Sequence, residues 1–512
     1  MKNFSRSLMK ISALLICCLL VAGMVFTEEK LHAADRPNVL FIAVDDLNDW
    51  VGAFDGNIQM KTPHMDALVD EGAMVFSRAH CPAPVCCPSR TAIISGFMPS
   101  RSGIYRNQHY IFDSEIIQQH ATLPEYFAQQ GYTTLGMGKI LHGPSLSYPV
   151  VQQYQPQSGS SQVNPDRLFS RNQGILNGKK VTGDPNAGGS EFSWGPTKEK
   201  LEDTRDYQTA KWTADMLQKD YDQPFFMAIG ISKPHLAWYV PEEYFDMYDL
   251  DDVKIPDYRK DDLDDILTPA GKKKFEPSGD YKWVNQDQEL FRRAVRAYMA
   301  ASTYADECVG VMLDALRKSP HFDNTIVVIW GDHGWHLGEK MRFRKATLWS
   351  ESTRVPLIIR LPGMQGKQVT KRVVNLIDLY PTLNELCGLP KKTNIDGRSF
   401  APLFKNPDMK WDYPSLTTQG PDQHTVNDEN WRYTRYIDGT EELYHMTGDP
   451  MEWTNLIHSK NSDALAAKKR LAKYMPTEHA ASPRELNQEQ RRANANKPNE
   501  QIRAKRLATD LK

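Results

Sequence analysis

The sequence predicts an α/β fold with a doubly wound, mainly parallel sheet, followed by a small antiparallel C-terminal subdomain. Short apolar runs rich in β-branched residues recur along the chain, as is typical of strands that are buried on both faces. These runs are Asn38–Val44, Thr133–Gly138, Phe225–Ile231, Thr325–Trp330 and Leu357–Leu361. Amphipathic helical patterns lie between them, from Thr62 to about Phe76, over Thr204–Tyr221 and over Glu289–Lys318. Alternation of strands and helices is the pattern of α/β proteins.

The pattern changes after about Phe404. Trp431–Tyr436 and Glu442–Met446 alternate between apolar and polar residues, and Asp438-Gly439 lies between them. An Asp-Gly pair between two such runs predicts a β-hairpin. We therefore divide the chain into four parts: 1–34 signal peptide, 35–405 catalytic domain, 406–476 antiparallel subdomain and 477–512 polar tail.

The composition is that of an ordinary globular protein. Among 512 residues, 40% are hydrophobic and 25% are charged, and the formal net charge is −2. A chain without a positive field does not attract nucleic acid, which argues against a nucleic-acid partner. An anionic substrate must therefore be held by local cations.

The N-terminus has the pattern of an export signal. Basic residues precede the apolar stretch Ile11–Phe26, and the small residues Ala33 and Ala34 follow it. The stretch is short for a transmembrane helix. We expect an exported protein, periplasmic or secreted, with no stable membrane insertion after cleavage. An uncleaved anchor, or a lipid anchor on Cys17 or Cys18, remains the alternative.

Seven cysteines are present, and two of them lie in the signal. The other five are Cys81, Cys86, Cys87, Cys308 and Cys387. An odd number in an exported chain indicates at least one thiol with a fate other than a disulfide. A zinc site is the other possibility, but no Cys/His set with zinc spacing completes one.

Ionisable residues follow four of the predicted strands. The pairs are Asp45 and Asp46, Lys139 and His142, Lys233 and His235, and Asp332 and His333. Ligands bind at the carboxyl ends of the strands in open α/β sheets. Any one pair is equally compatible with a helix cap or a solvated loop, but four pairs at one edge favour a functional site.

The residue types indicate the chemistry of that site. Asp45, Asp46 and Asp332 offer the oxygen ligands that calcium prefers, and His333 adds a nitrogen ligand or a supporting group. Lysines and histidines hold and protonate an anionic tetrahedral group. A metal and several cations around one anion is the arrangement used for phosphoryl or sulfuryl transfer.

The segment from Cys86 to Gly96 offers a nucleophile. Pro88 and the apolar run after it predict a helix that begins here. Cys86 then lies at the helix N-terminus, where the dipole favours anions. Arg90 lies one turn further along the same face, so its guanidinium approaches the same anion.

The same segment resembles a known family. Cys86 to Gly96 matches Cys-x-Pro-Ser-Arg-x-x-x-[Leu/Ile]-[Thr/Ser]-Gly, the signature of type I sulfatases. Arg36–Asp46, Gly138–His142 and Gly331–Lys340 resemble other motifs of the family, so the likeness covers roughly residues 36–460. With His333 and Lys345 in place, the chain is most similar to the iduronate-2-sulfatase branch. The resemblance implies an alkaline phosphatase/sulfatase-like fold.

The resemblance also implies a mechanism. A separate formylglycine-generating enzyme oxidises Cys86 to formylglycine (3-oxoalanine), whose hydrate binds one calcium per chain and attacks sulfur. The second hydroxyl then expels sulfate, whereas a thiolate would remain as a stable ester. The implied calcium ligands are Asp45, Asp46, Cys86, Asp332 and His333. Arg90 and Lys139 stabilise the hydrate, and His142 transfers a proton there. Lys233, His235 and Lys345 bind sulfate, with His235 protonating the leaving oxygen. Cys87 fills a variable position and is expected to pack.

Two other functions compete with this interpretation. Phosphatases and phosphodiesterases of the same superfamily use Ser or Thr and two zinc ions, and an inactive carbohydrate-binding relative would lack part of the site. The complete signature disfavours both.

The substrate is expected to be a sulfated sugar from a polysaccharide. Trp238-Tyr239 either stacks on a sugar ring or belongs to the core. Lys340, Arg342 and Arg344 either bind a uronate carboxylate or coat a loop. The polar segment 145–193 either covers the site or is a surface insertion, and the small ring of cations favours exo-type action on short oligosaccharides.

Overall fold

The computed structural model describes residues 36–54, 56–57, 59–142 and 192–483, together with the backbone of short strands at 153–155, 175–176 and 179–180. In this part of the chain, the central sheet has eight strands. They are β1 Asn38–Val44, β2 Met74–Phe76, β3 Thr133–Gly138, β4 Gln153–Gln155, β5 Phe225–Ile231, β6 Thr325–Gly331, β7 Leu357–Arg360 and β8 Gln368–Thr370. Their order is β8-β2-β7-β6-β1-β5-β3-β4.

The centre of the sheet is parallel. Strand β1 pairs in parallel with both β6 and β5, and β5 pairs in parallel with β3. The mainly parallel sheet predicted from the sequence is confirmed, and β1, β3 and β5 have the predicted bounds. Strand β7 is antiparallel to both β6 and β2, so one side of the sheet is mixed. The four parallel strands end at one edge, where their loops meet.

Helices cover both faces of the sheet. The longer ones are α1 Pro63–Gly72, α2 Cys86–Ser95, α3 Leu123–Gln129, α4 Arg205–Leu217, α5 Gln288–Lys318, α6 Leu379–Leu386 and α7 Ser462–Leu471. Shorter helices are Pro99–Ser102, Glu115–Gln118, Glu242–Asp246, Gly279–Val284 and Ser350–Thr353. Short two-stranded ladders join Ala79–His80 to Val374–Asn375, Trp194–Thr197 to Trp238–Pro241, and His336–Leu337 to Phe343–Arg344.

Helix α1 is shorter than the sequence predicts. The predicted helix ran to about Phe76, but the helix ends at Gly72 and strand β2 begins at Met74. Gly72 has φ +147°, and a Cβ there would lie 2.3 Å from the carbonyl oxygen of Met364. The close approach of a neighbouring loop thus requires glycine, and the chain turns there into the sheet.

The core is divided by the sheet. Alternate residues of β1 point to opposite faces, as the two-residue period of a strand requires. Leu40, Ile42 and Val44 join the cluster that contains α5, and Val39, Phe41 and Ala43 join the cluster beneath α2 and α6. Because both faces are covered, β1 is apolar along its whole length, and this explains the continuous hydrophobic run.

The predicted C-terminal hairpin is confirmed as part of a four-stranded antiparallel sheet within the described residues. Its strands are β9 Ser415–Gly420, β10 Gln423–Asn427, β11 Trp431–Arg435 and β12 Glu441–His445, in that order. We call them the C-terminal sheet. Val426, Tyr433 and Leu443 pack against Ala464 and Leu471 of helix α7.

Some sequence predictions fall outside the description. The signal at 1–34 and most of the tail at 477–512 lie outside the described residues, as does segment 145–193 apart from short strand backbone and its last two residues. Within the described residues, no helix combines the length and apolar character needed to cross a membrane.

Candidate active site

The four loops with predicted functional residues meet at the carboxyl edge of the parallel strands. Asp45 and Asp46 follow β1, and Asp332 and His333 follow β6; all four side chains are fully buried. Strands β3 and β5 deliver the other two loops. Buried charged groups require compensating partners, and the surrounding contacts provide most of them.

Cys86 is the first residue of helix α2, as predicted, and Val85 in extended conformation precedes it. Its Sγ lies 3.2 Å from Nε2 of His333 and 2.9 Å from Nζ of Lys345. Burial raises the pKa of the thiol, but the ammonium groups of Lys345 and Lys139 lower it, and the net pKa lies below the ordinary value. The site thus stabilises an anion at the end of this side chain.

Arg90 connects the carboxylates from beneath. Its Nε donates to Oδ2 of Asp332 at 2.7 Å, and one terminal nitrogen donates to Oδ1 of Asp45 at 3.1 Å. All three side chains are fully buried. Arg90 therefore fixes the two carboxylates that come from β1 and β6. Both of these carboxylates are implied metal ligands.

The two adjacent aspartates have opposite electrostatics. Burial raises the pKa of Asp45, but ion pairs with Lys139 and Arg90 bring it well below the ordinary value. Burial raises the pKa of Asp46 to about 7, although Lys345 donates to its Oδ1 at 2.5 Å. Oδ2 of Asp46 is buried and has no hydrogen-bond partner among the described residues. The negative charge of the Asp46 carboxylate is therefore only partly compensated by the neighbouring protein groups.

The donor set fits a divalent cation. Among the described residues, one ligand atom each from Asp45, Cys86, Asp332 and His333 lie within 4.8 Å of one another, and Asp45, Asp46, Cys86 and His235 form an overlapping set. The unpartnered oxygen of Asp46 belongs to this group. Since carboxylate oxygens dominate, the site suits a hard cation such as calcium.

His333 lies on the same side as Cys86. Its Nε2 is 3.4 Å from Oδ1 of Asp46, and its Nδ1 is 3.0 Å from the carbonyl oxygen of Gly334. Burial lowers the pKa of His333, but the carboxylate of Asp332 raises it to about 9. A bound cation would replace this proton, because a positive metal ion reverses the local charge balance.

Lys233 and His235 lie on the loop after β5. Nε2 of His235 is 3.9 Å from Oδ2 of Asp46, while its Nδ1 lies 2.6 Å from the carbonyl oxygen of Leu236. Burial lowers the pKa of His235 well below its usual value and that of Lys233 to about 8. Nζ of Lys233 donates to the carbonyl oxygen of His235 at 3.2 Å. His235 therefore borders Asp46, whereas the Lys233 ammonium is held by backbone carbonyls of its own loop.

His142 follows Lys139 at the end of a described segment. Burial and the charge of Lys139 together lower its pKa to about 3. Direct contacts among the described residues join most of the site residues predicted from the sequence: Asp45, Asp46, Cys86, Arg90, Lys139, His235, Asp332, His333 and Lys345. Their catalytic roles stay predictions.

Two buried side chains that support the site were not predicted from the sequence. The Tyr298 hydroxyl donates to the backbone oxygen of Asp46 at 2.8 Å. The Asp206 carboxylate accepts the backbone N–H groups of Ser232 and Lys233 at 3.0 and 2.8 Å. For Tyr298, the only indication in the sequence was its position on the apolar face of the predicted helix. Asp206 looks like any acidic residue in a first helical turn.

Trp238 and Tyr239 belong to the core. Trp238 is 0% and Tyr239 is 7% exposed, and the Trp238 ring lies 5.6 Å from that of Tyr298. The Trp238 indole N–H donates to the Pro234 carbonyl oxygen at 2.7 Å. The expectation that this pair stacks on a sugar ring is wrong, and the alternative of a core pair is correct.

Replacing Trp238 with Ala is expected to lower the free energy of unfolding by about 3–5 kcal/mol, because a large buried side chain leaves a cavity. Urea unfolding followed by circular dichroism measures this. Ile437→Ala, at a side chain 63% exposed, should change it by less than about 0.5 kcal/mol. Unchanged stability for Trp238→Ala with a raised KM would restore the sugar-stacking role.

The basic residues after β6 are mostly engaged elsewhere. Lys340 is buried and pairs with Asp262 at 2.7 Å, and Nε of Arg344 pairs with Asp280 at 2.5 Å. Arg342 packs over the ring of Phe275. The expectation that Lys340 reads a uronate carboxylate is wrong, since it is 1% exposed. The alternative that it coats a loop is equally wrong.

The five cysteines among the described residues form no disulfide. Cys81, Cys86, Cys87, Cys308 and Cys387 are buried and free of disulfides. Sγ of Cys87 donates to the carbonyl oxygen of His109 at 3.2 Å, and the side chain belongs to the apolar cluster beneath α2 and α6. Cys87 therefore packs, as expected.

Comparison with known proteins agrees with this geometry. The family model Sulfatase matches residues 37–389, and the model N-sulphoglucosamine sulphohydrolase, C-terminal, matches residues 331–478. A protein named Sulfatase from Formosa agariphila is 36% identical over 447 residues, which cover 84% of this chain and 85% of that protein. Iduronate 2-sulfatase of Mus musculus is 29% identical and covers 70% of each chain.

Solved structures share the fold. The structure of a phosphonate monoester hydrolase of Agrobacterium radiobacter has a TM-score of 0.66 at 20% identity and covers 86% of this chain and 94% of that chain. A likeness at this identity shows the fold alone. The family model, by contrast, matches well over half of the sequence, including every strand-end residue from Asp45 to Lys345. The chain therefore belongs to the sulfatase family and is a sulfuric ester hydrolase.

Proposed function

We propose that the chain hydrolyses sulfate esters of sugars by means of a formylglycine made from Cys86. The observation that carries this proposal is the position of the Cys86 side chain, at a helix N-terminus between Lys345 and His333. The conversion leaves an aldehyde on the same Cβ, within reach of the same cations. A formylglycine-generating enzyme in the producing cell is the partner that this requires.

Calcium, when bound, supplies a fixed positive charge that polarises the nucleophile and the sulfate oxygens. Asp45, Asp46, Asp332 and His333 would hold it together with the modified residue at 86. The otherwise unpartnered oxygen of Asp46 supports one ion in this position. Arg90 keeps two of these carboxylates in place through its paired N–H groups.

The remaining residues act on the substrate. Lys345, Lys139 and Lys233 approach the cluster from three separate loops and would neutralise the sulfate group. We assign proton donation to the leaving oxygen to His235 in its imidazolium form, in which Nδ1–H donates to the Leu236 carbonyl and Nε2–H faces the cluster. The negative charge of a bound sulfate ester would favour this protonated form. His142 would exchange a proton with the nucleophile.

The proposed substrate is a terminal sulfated sugar of an oligosaccharide. The named activity of the mouse relative, iduronate 2-sulfatase, supports a sulfated uronate as a first choice. The net charge of −2 supports small substrates over long polyanions, since only the local cations attract sulfate. We further propose that 1–34 directs export, that 35–405 forms the catalytic domain and that 406–476 forms the C-terminal subdomain.

A substrate panel tests the proposal. The protein, produced together with a formylglycine-generating enzyme, is incubated with sulfated mono- and oligosaccharides, intact sulfated polymers, phosphate monoesters and phosphonate esters. Ion chromatography of the released anion is expected to show sulfate from short saccharides at more than ten times the rate seen with polymer. Preferential release of phosphate would favour the phosphatase alternative. Faster release of sulfate from polymer would contradict exo-type action.

A further inference from the structure

Lys345 reaches the site from a loop that is held from several sides, including the Pro84 carbonyl, which accepts the Ala346 N–H at 3.0 Å, and His336, whose ring contacts the Thr347 hydroxyl at 2.7 Å. The loop, residues 345–350, connects the strand Phe343–Arg344 to the helix Ser350–Thr353. Its backbone bends sharply, since Ala346 has φ +67°. From this loop, Nζ of Lys345 lies 2.5 Å from Oδ1 of Asp46 and 2.9 Å from Sγ of Cys86. A displacement of about 1 Å would separate these groups.

The C-terminal sheet and the turn after it grip this loop at three points. Nε2 of Gln419 in β9 donates to the carbonyl oxygen of Ala346 at 2.6 Å, next to Lys345 itself. At the far end, the Ser350 hydroxyl accepts from Arg432 in β11 at 2.9 Å, and the Ser350 N–H donates to Oε2 of Glu452 at 2.8 Å.

Between these two points, the indole N–H of Trp349 donates to Oε2 of Glu442 in β12 at 2.8 Å. The same carboxylate accepts the Tyr436 and Tyr444 hydroxyls, each at 2.6 Å. Trp349 is therefore held in one orientation by a carboxylate that is itself held by two hydroxyls.

Two of the groups that hold the loop, Arg432 and Glu452, are themselves buried and paired with each other. Arg432 and Glu452 are 0% and 2% exposed, and Nε of Arg432 lies 3.0 Å from Oε1 of Glu452. Buried ion pairs contribute little to stability compared with apolar packing, but they fix geometry because misaligned partners lose their compensation. Their placement against the loop that carries Lys345 indicates a positioning role.

We propose that Gln419, Arg432 and Glu452 are positioning residues that hold the 345–350 loop so that the ammonium of Lys345 lies between Asp46 and Cys86. The C-terminal sheet then completes the active site without touching substrate. This inference rests on the proposed function of Lys345 in binding sulfate.

A double-mutant cycle tests the inference. The variants are Gln419→Ala, Lys345→Ala and the double variant, assayed as the modified enzyme on the sulfated saccharide that is turned over fastest. Gln419 is half-buried, so its loss is expected to leave folding intact. Gln419→Ala should lower kcat/KM by roughly 5- to 30-fold, as for the loss of one hydrogen bond that orients a charged group. In the Lys345→Ala background the same substitution should change kcat/KM less than about twofold.

The matched control is Gln423→Ala, four residues further along the same hairpin. Gln423 shows no hydrogen bond to the loop among the described residues, and we expect a change below about twofold. Arg432→Lys is a second variant, which keeps the charge but not the fork that contacts both Glu452 and Ser350. Arg432→Lys should lower kcat/KM when Lys345 is present. It should have little effect on kcat/KM when it is combined with Lys345→Ala.

Each outcome decides between the possibilities. Equal losses from Gln419→Ala in both backgrounds would overturn the positioning role while leaving the function of Lys345 intact. An unchanged kcat/KM for Lys345→Ala would instead overturn the proposed role of Lys345, and the inference with it. A lower melting temperature with unchanged kcat/KM for Gln419→Ala would show a structural role alone and would also overturn the inference.

Discussion

Replacing Cys86 with Ala is expected to abolish hydrolysis of sulfate esters, with a loss of roughly 10⁴-fold or more in kcat, as when other hydrolases lose their nucleophile. Alanine cannot be converted to an aldehyde, and it removes the group that faces Lys345 and His333. Binding should persist because the cations remain. Initial rates of sulfate release measure the first effect, and calorimetric titration with the saccharide measures the second.

Cys87→Ala is the matched control. The Cys87 thiol lies against the His109 carbonyl and belongs to the apolar core, so kcat should stay within a fewfold of the wild type. Peptide mass spectrometry should show the Cys86 peptide lighter by the thiol-to-aldehyde change in both the wild type and Cys87→Ala. Loss of activity in folded Cys87→Ala, with Cys86 still converted, would contradict the assignment of the pair.

Replacing Asp46 with Asn is expected to remove the metal and the activity together. The wild type should hold one calcium per chain, whereas the variant should hold close to none, because a neutral amide cannot compensate a divalent cation as a carboxylate does. Loss of the metal should lower kcat/KM by roughly 10³-fold or more, which corresponds to several kcal/mol of transition-state stabilisation. Metal analysis after dialysis and initial rates measure these two effects, and treatment of the wild type with a chelator should reproduce them.

Thermal stability provides a readout that does not depend on activity. In the wild type, added calcium should raise the melting temperature, since it binds only the folded state. Burial already raises the pKa of Asp46, and its Oδ2 has no hydrogen-bond partner among the described residues, so in the metal-free protein Lys345 compensates this carboxylate only in part. Asp46→Asn should therefore lose the response to calcium without losing stability in its absence.

The control for this experiment is Asp215→Asn, at an exposed carboxylate that pairs with Lys211 on the surface of α4. Its metal content, activity and calcium response should match the wild type. Two tightly bound zinc ions in the wild type would contradict the calcium assignment and favour the phosphatase alternative.

The sequence alone determined the bounds of three central strands of the parallel part of the sheet. Asn38–Val44, Thr133–Gly138 and Phe225–Ile231 have the predicted bounds, because strands buried on both faces must be continuously apolar and end where polar residues begin. The residues at those ends were therefore found by position. Cys86 was placed at a helix N-terminus by local signals, and the structure begins α2 at that residue.

Tertiary structure decided what those local patterns leave open. The sequence of an aromatic pair after His235 is the same whether the rings contact a sugar or pack in the core. For Trp238, the packing against Tyr298 showed that the ring belongs to the core. Likewise, β7 resembles the parallel strands in composition, but in the structure it pairs with β6 in the antiparallel direction. The sequence pattern predicted that Lys340 lies on the surface. In the structure, Lys340 is buried and forms an ion pair with Asp262.

The grip of the C-terminal sheet on the Lys345 loop shows the same limit most clearly. Gln419 and Ala346 are 73 residues apart in the chain, and Trp349 and Glu442 are 93 apart. No periodicity or motif connects residues at such separations, because their contact depends on how two sheets dock. The sequence determined which side chains reach the edge of the central sheet, since that follows from the local course of each strand. Which residues of the C-terminal sheet hold one of those side chains in place followed only from the assembled fold.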